Sequence, residues 1–166
     1  VGSEMCIRDR SNLLDGFAHF YDTYECSDNK YIAVGSIEPQ FYSELLDKLE
    51  IDDKQFQDQH NKKIWPKLKE KMAAKIKLKS RSEWVEIFSD SDACVSPVLS
   101  MEEAKKHPHN LSRDSFINID GFNQPNASPR FSITNLEIKH NAKPIGSDQD
   151  DIYDEFNLRK EEFIKN

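Results

Sequence analysis

One acidic residue in this chain stands where proteins often place catalytic groups. Glu38 precedes Pro39 and a run of apolar residues at helical spacing, so we expect its carboxylate at the N-terminus of a helix. Backbone N–H groups and the helix dipole stabilise an anion there. Such a carboxylate can orient a histidine and stabilise its protonated form. The same pattern also fits an ordinary acid at a helix start, which the residues alone favour.

Other residues with reactive side chains have weaker support. His107 and His109 are close enough to share a metal, but no cysteine or carboxylate lies beside them at ligand spacing. We therefore predict a polar turn after a helix, and no metal site. Cys94 lies in an apolar segment that we predict to form a strand, where a thiol is usually inert. The remaining histidines have no recognisable partner in the sequence: His19, His60 and His140.

A run of lysines gives one part of the chain a local positive charge. It could contact phosphate groups, but the solvated face of an amphipathic helix explains it as well and is the more frequent arrangement. Neither a glycine-rich phosphate loop nor a Ser-His-Asp order occurs in the sequence. The lysines are Lys62, Lys63, Lys67, Lys69, Lys71, Lys75, Lys77 and Lys79.

The composition argues against several classes of function. The chain has 166 residues, of which 37% are hydrophobic and 32% charged, and its net charge is −7. One domain, or one domain with an arm, fits this length, and the acidic balance argues against nucleic-acid binding. No apolar run approaches the ~20 residues of a membrane span. The cysteines have no metal-type spacing, so we expect a reducing compartment without disulfides.

The elements that must position Glu38 begin with a β-hairpin. Tyr21–Cys26 and Lys30–Gly35 are rich in aromatic and β-branched residues. Asn29 between them tolerates the positive φ of a tight turn. The first helix follows over Pro39–Leu49, because proline suits the first helical position and apolar residues recur there at helical spacing.

Two more helices and a strand complete this part of the chain. A second helix buries one face, formed by Trp65, Leu68, Met72 and Ile76. Ser80 and Glu83 fit a capping box that opens a third helix. Cys94–Leu99 is predicted as a buried strand, which Pro97 confines to a sheet edge or a bulge.

The remaining chain becomes irregular. Ser100 and Glu103 fit a second capping box before a short helix that ends near residue 106, and Ser115–Ile119 is the last strand that we predict. After Gly121, prolines interrupt a stretch with little periodicity, which indicates an extended arm. Two short terminal helices are predicted, at Asp150–Phe156 and Arg159–Ile164. The apolar arm residues that we expect to lack cover are Phe131, Ile133, Leu136 and Ile138.

The first ten residues need separate treatment. VGSEMCIRDR has no apolar periodicity and resembles the translated read-through of a sequencing adapter, so we exclude it from fold reasoning. A genuine disordered N-terminus is the alternative. On the artefact interpretation, the true start of the protein lies upstream. We divide the chain into an artefact at 1–10, a linker at 11–20, a small α+β domain at 21–120 and an arm at 121–166.

Two segments of the chain resemble one protein family. AVGSIEPQFY at 33–42 and DACVSPV at 92–98 are similar to segments in the C-terminal half of the α-methylacyl-CoA racemases. These enzymes belong to the family III, or CaiB/BaiF-like, CoA-transferase superfamily. Shorter matches keep the family's order over nearly all of residues 12–132, namely LLDG, FYDTY, Trp65-Pro66, Glu83-Trp84, HPHN with Arg113, and PRFS.

The resemblance implies a fold and a reaction. The chain would supply the family's small α+β domain, with its β-hairpin, helices and short strands, and an extended C-terminal arm with short helices. An N-terminal Rossmann-like large domain would be missing, and two full-length chains would interlock as a homodimer. The implied enzyme is an isomerase that inverts C2 of 2-methylacyl-CoA thioesters through an enolate. Its substrate is an acyl-CoA, and it needs no cofactor beyond the CoA that the substrate carries.

One catalytic residue of the family maps onto this chain. The glutamate of the family's IEPQF segment supports the catalytic histidine and corresponds to Glu38, which favours a functional role for Glu38. Ile37 and Pro39 would shape the same site and contact substrate. The catalytic histidine and aspartate would lie in the missing region, so we expect the fragment alone to be inactive. Phe17 and His19 replace a Gly and a Pro of the family pattern, and we expect them to alter the linker rather than the chemistry.

Two other functions remain as alternatives. A CoA-transferase of the same superfamily would move CoA between carboxylic acids through an aspartate nucleophile that also lies outside this chain. A stand-alone binding module would use the lysine-rich helix to bind an anionic partner, with strong salt dependence. The racemase-like segments favour the isomerase. The C-terminal residues are not a peroxisomal tripeptide, so we expect a cytoplasmic location.

Overall fold

The computed structural model describes residues 12–138 and 140–158. Their contacts group into two compact units, which divide between Ser100 and Met101. Two predictions lie outside the described residues, namely the artefact at 1–10 and the helix at Arg159–Ile164. The division into linker, small domain and arm stays a prediction. Over the described ranges, no helix has the length and apolar character that crossing a bilayer requires.

The first unit combines a three-stranded antiparallel sheet with helices. Its elements are β1 (Tyr21–Glu25), β2 (Tyr31–Gly35), α1 (Pro39–Lys48), a 3₁₀ helix (Lys54–Gln57), α2 (Trp65–Ile76), α3 (Arg81–Phe88) and β3 (Val95–Pro97). The central strand is β2, which pairs with β1 on one side and β3 on the other. This mixture of helices and antiparallel strands confirms the predicted α+β class.

The hairpin forms as its sequence predicts. β1 and β2 pair with Tyr21 opposite Gly35, and Asn29 takes the left-handed conformation with φ 59°. Alternate residues of a strand point to opposite faces of a sheet. The core-facing residues that are fully covered are Tyr24, Ile32 and Val34.

The helices bury the faces that their apolar spacing predicts. α1 begins at Pro39, and α2 buries all four of the residues predicted for its inner face. Ser80 and Glu83 form the predicted capping box at the start of α3. The Ser80 hydroxyl accepts from the Glu83 N–H at 3.3 Å, and the Glu83 carboxylate accepts from the Ser80 N–H at 2.7 Å.

The third strand is shorter and more exposed than its sequence suggests. It spans Val95–Pro97 rather than Cys94–Leu99, and none of its residues is buried, so the prediction of a buried strand is wrong. It pairs with β2 alone at the edge of the sheet, which confirms the position expected from Pro97. An edge strand has a neighbour on one side only, and this explains its exposure.

The second unit contains short helices and a small sheet. Its elements are α4 (Met101–Lys106), α5 (Pro108–Ser112), β4 (Phe116–Ile119), β5 (Phe122–Pro125) and α6 (Gln149–Glu155). The helices α4 and α6 confirm two predictions, α6 with each end shifted by one residue. The polar turn predicted at 107–109 is replaced by α5, since Pro108 suits a first helical position. The capping box at Ser100 stays a prediction.

One strand of the second unit was not predicted. β4 is not the last strand, because the chain reverses at Asp120 and Gly121 and pairs Ile119 with Phe122. Both turn residues are left-handed, with φ of 53° and 85°, as a two-residue type I′ turn requires. Asp-Gly is a strong hairpin signal, and the prolines that follow it obscured this evidence.

Three of the four apolar residues expected to lack cover beyond β5 do so. Phe131, Ile133 and Leu136 are exposed, and Ile138 is half-buried. Throughout the described part of the second unit, no side chain is buried. The hydrophobic core therefore belongs to the first unit.

A buried histidine lies within that core. His19 belongs to the segment predicted as a linker and is fully covered. Its Nε2 lies 2.7 Å from the Tyr42 hydroxyl, which donates to the Phe56 carbonyl at 3.0 Å. Because the hydroxyl hydrogen is used there, Nε2 must carry the imidazole hydrogen, and Nδ1 finds no partner among the described residues. Burial, followed by the charge of His60, lowers the pKa of His19 to about 4.

This buried neutral histidine should make stability depend on pH. The unfolded chain takes up a proton near pH 6.5, whereas folded His19 does so only near pH 4. The free energy of unfolding should therefore fall as the pH drops through this range, by up to about 3 kcal/mol. Urea unfolding at pH 7 and pH 5 measures the change. His19→Phe should lose most of it, and His140→Asn, at an exposed position, should retain it. An equal change in all three proteins would contradict the assignment.

Candidate functional site

Glu38 lies at the N-terminus of α1, as predicted. It is the N-cap residue, with extended backbone angles (φ −71°, ψ 143°), and its side chain is exposed. That side chain makes no cap hydrogen bond to the helix, so the expected bonds from backbone N–H groups are absent. Over the described residues no side chain bonds the carboxylate. It is therefore open to a group from outside.

The two residues beside Glu38 differ in their surroundings. Ile37 is half-buried and packs against the hydrophobic core, so it anchors the segment. Pro39 is exposed in the first turn of α1. These three predicted site residues are consecutive in the chain and lie where β2 leads into α1. Contact of Ile37 and Pro39 with a substrate stays a prediction.

Hydrogen bonds join the two segments that carry the family resemblance. The Gly35 N–H donates to the Cys94 carbonyl at 2.9 Å, and the buried Ser36 hydroxyl donates to the Ala93 carbonyl. The Ser36 N–H donates to the Phe20 carbonyl at 3.0 Å. Glu38 therefore follows a strand-to-helix junction that two other parts of the chain hold in place.

A residue that the sequence analysis overlooked also holds this junction. The side-chain amide of Gln59 donates to the carbonyls of Ser36 and Ile37, at 3.2 and 3.0 Å. The main-chain carbonyl of Gln59 accepts a hydrogen bond from the Trp65 indole N–H at 2.6 Å. Gln59 lies in the polar connector between α1 and α2, where a side chain is expected to be exposed. Only the apolar Phe56 and Trp65 on either side of it indicate a buried position.

Cys94 is exposed and precedes β3, so its predicted place inside a strand is wrong. Its backbone is left-handed, with φ 53°, which costs a non-glycine residue roughly 1–2 kcal/mol. Partial burial raises the pKa of its thiol, and the carboxylates of Glu38, Asp92 and Glu44 raise it further. A nucleophilic thiol needs a lowered pKa. Cys94 is therefore expected to be inert because the pKa of its thiol is raised, and not because it is buried in a strand.

An open cleft lies on the face of the sheet that points away from the core. Its volume is about 430 Å³, and its walls include the outward residues Tyr21, Thr23, Ala33, Gly35 and Ser96, together with Cys94. A Cβ added to Gly35 would come no closer than 3.8 Å to its neighbours. The chain itself therefore does not require glycine there.

Four of the eight lysines in the run form ion pairs with acids of their own unit. The ion pairs are Lys69 with Asp22, Lys71 with Asp53, Lys75 with Glu50 and Lys77 with Glu25. Partly exposed pairs of this kind contribute little to stability. They pair half of the positive charges of the run with acids, which favours the solvated-face interpretation over an anion-binding surface.

The histidines of the second unit do not form part of a metal cluster that the structure describes. His107 is the N-cap of α5, and His109 lies within that helix. Over residues 12–138 and 140–158, no group of three His, Cys, Asp or Glu side chains could hold a metal ion.

Comparison with known proteins gives the family. Residues 5–149 match the model of CoA-transferase family III. The chain belongs to this family. The match begins at residue 5, so it includes part of the segment excluded above as an artefact.

Two curated relatives have racemase names. The chain is 38% identical over 157 residues to "Alpha-methylacyl-CoA racemase" of Mus musculus and 39% identical over 156 residues to the protein of that name in Homo sapiens. A CaiB/baiF CoA-transferase family protein of Caenorhabditis elegans is 31% identical over 122 residues, 74% of this chain and 34% of its own length. The racemase matches confirm the predicted resemblance. They cover 93% of this chain but only 41% of each racemase.

Solved structures share the fold. Rv3272 from M. tuberculosis has a TM-score of 0.61 at 14% identity, over 81% of this chain and 36% of its own. A CAIB/BAIF family protein from Brucella suis has a TM-score of 0.63 at 17% identity, over 81% of this chain and 37% of its own. At such low identity the likeness shows the fold alone. It confirms that this mixed fold with antiparallel sheets is similar to a CaiB/BaiF structure.

The charge of Glu38 should affect the reactivity of Cys94. Because the Glu38 carboxylate raises the pKa of the Cys94 thiol, Glu38→Gln should lower that pKa and speed alkylation of Cys94 by iodoacetamide near pH 8. Peptide mass spectrometry separates Cys94 from the other cysteines. Asp47→Asn removes an exposed acid from the same helix and should leave the rate unchanged. Equal rates in wild type and Glu38→Gln would show that the two groups are not close.

Proposed function

We propose that this chain forms the small domain of an enzyme that epimerises C2 of 2-methylacyl-CoA thioesters. The observation that carries the proposal is the exposed, unbonded carboxylate of Glu38 on a rigid junction. The racemase names of the relatives at 38% and 39% identity supply the reaction class.

Epimerisation requires more catalytic groups than the Glu38 carboxylate alone. Inversion at C2 needs a base on one face, an acid on the other and stabilisation of the thioester oxyanion in the enolate. On our proposal a histidine and an aspartate outside this chain exchange the C2 proton. The Glu38 carboxylate accepts a hydrogen bond from that histidine and favours its protonated form. This chain alone would then be inactive.

The proposal extends to the assembly and the substrate. The remaining part of the protein would be a Rossmann-like large domain that binds the CoA moiety, and two full-length chains would form an interlocked homodimer. Glu38 would meet the histidine at the boundary between two chains. CoA enters as part of the substrate, so no separate cofactor is proposed.

A CoA-transferase is the second candidate, since the family itself carries that description. Its covalent chemistry would use an aspartate nucleophile from the large domain. In that case Glu38 would have no histidine to support. The two candidates therefore differ in what they require of Glu38.

Replacing Glu38 should lower turnover in the full-length protein. Glu38→Gln keeps the shape of the side chain but removes the charge that stabilises the protonated histidine, so kcat for epimerisation should fall at least about tenfold. Deuterium uptake at C2 from D₂O, with chiral analysis of the product, measures it. Asp47→Asn, at another exposed acid of α1, is the matched control and should retain full turnover. If Glu38→Gln were as active as this control, Glu38 would have no part in the mechanism.

Dependence on an acceptor acid separates the two candidates. A racemase should exchange the C2 proton of a 2-methylacyl-CoA with no second carboxylic acid present, because CoA stays on its acyl group. A transferase should be idle until an acceptor acid is added and should then form a new thioester. Assays of the full-length protein with and without a panel of short carboxylic acids distinguish these outcomes. Thioester exchange without epimerisation would overturn the racemase proposal.

A further inference from the structure

The side chain of Gln59 lies beneath the start of α1 and is only 7% exposed. Both of its amide hydrogen bonds go to consecutive backbone carbonyls, at 3.2 Å to Ser36 and at 3.0 Å to Ile37. These carbonyls belong to the two peptide groups immediately before Glu38. A single amide therefore controls the orientation of both peptides.

Gln59 is itself held in place by residues of the hydrophobic core. The Trp65 indole N–H donates to the main-chain carbonyl of Gln59 at 2.6 Å. The Trp65 ring packs edge-on against Phe17 and Phe20. Three residues before Gln59, the Phe56 carbonyl accepts from the Tyr42 hydroxyl. The connector that carries Gln59 is thus fixed on both sides, and a fixed donor restricts its acceptors more than a mobile one does.

Without the Gln59 amide, the carbonyls of Ser36 and Ile37 would lose partners that water cannot easily replace. Ser36 is fully buried and Ile37 half-buried. The peptides would rotate to find other donors, and the backbone leading into Glu38 would move with them. A displacement of about 1 Å can reduce turnover by two orders of magnitude when the group must meet a reacting partner.

We propose that Gln59 is a positioning residue for Glu38. Its amide fixes the two peptides before Glu38, so that the carboxylate projects to one place, where it meets the histidine. This inference rests on the proposed function. It adds to that function a residue that touches neither substrate nor histidine.

The test is a double-mutant cycle in the full-length protein. Gln59→Met keeps the length of the side chain and removes both donors, and Gln57→Met makes the same change two positions away at an exposed site. We expect Gln59→Met to lower kcat about 10- to 100-fold, with KM within about twofold of wild type, and Gln57→Met to leave both unchanged. In a Glu38→Gln background, Gln59→Met should lower kcat no further, because it acts through Glu38. Circular dichroism checks that each variant is folded.

A second variant guards against a failure to fold. Gln59→Glu keeps the shape of the side chain, but its carboxylate cannot donate to the carbonyls of Ser36 and Ile37 and is repelled by them. The kcat of this variant should therefore fall at least as far as that of Gln59→Met. Equal losses in the wild-type and Glu38→Gln backgrounds would make Gln59 merely structural and overturn the inference, as would misfolding of both Gln59 variants. Full turnover of folded Gln59→Met, while Glu38→Gln is impaired, overturns the role of Gln59 alone. Full turnover of Glu38→Gln overturns the role of Glu38 on which this inference rests, and absence of C2 epimerisation in the wild-type protein overturns the proposed function itself.

Discussion

The passage from β2 into α1 must turn a strand into a helix without leaving buried polar groups unpaired. An unsatisfied buried backbone group costs about 1–3 kcal/mol, and Ser36 in this junction is fully covered. Its partners come from distant segments, namely the carbonyls of Phe20 and Ala93 and the amide of Gln59. The pairing of these groups draws the hairpin, the connector and the segment before β3 together.

Most of the buried polar side chains in the described residues lie around this junction between β2 and α1. The buried polar or charged side chains are His19, Ser36, Gln59 and Arg81. The first three support the start of α1, since His19 bonds Tyr42 and the other two bond the junction or its neighbours. Such groups stabilise a core less than apolar residues of similar size would, but they specify one arrangement. That arrangement is what an acid such as Glu38 needs to act on a group from another part of the protein.

Short-range patterns in the sequence predicted most of the first unit. The Asn29 turn, the proline that starts α1, the buried face of α2 and the Ser80 capping box depend on residues within a few positions of one another. The position of Glu38 at the helix start follows from the same local evidence.

Features that depend on distant residues were missed. Nothing near Gln59 in the sequence indicates Ser36 or Ile37 as its acceptors, and the Tyr42 partner of His19 lies on another element. The left-handed backbone of Cys94 arises where the segment before β3 bends to meet Gly35, which no local pattern shows. The missed strand β5 is different, because its Asp-Gly turn was present in the sequence.

The two units differ in how much apolar surface they bury. Apolar burial contributes about 25 cal/mol per Å², and every buried hydrophobic residue that the structure describes lies in the first unit. In the second unit Phe122, Phe131 and Ile133 remain exposed instead. Its strands and helices have backbone hydrogen bonds but little apolar burial, which is a weak source of stability in water. Precise placement of a catalytic group requires a support that does not fluctuate. The first unit, which carries Glu38 and Gln59 on a packed core, meets that requirement.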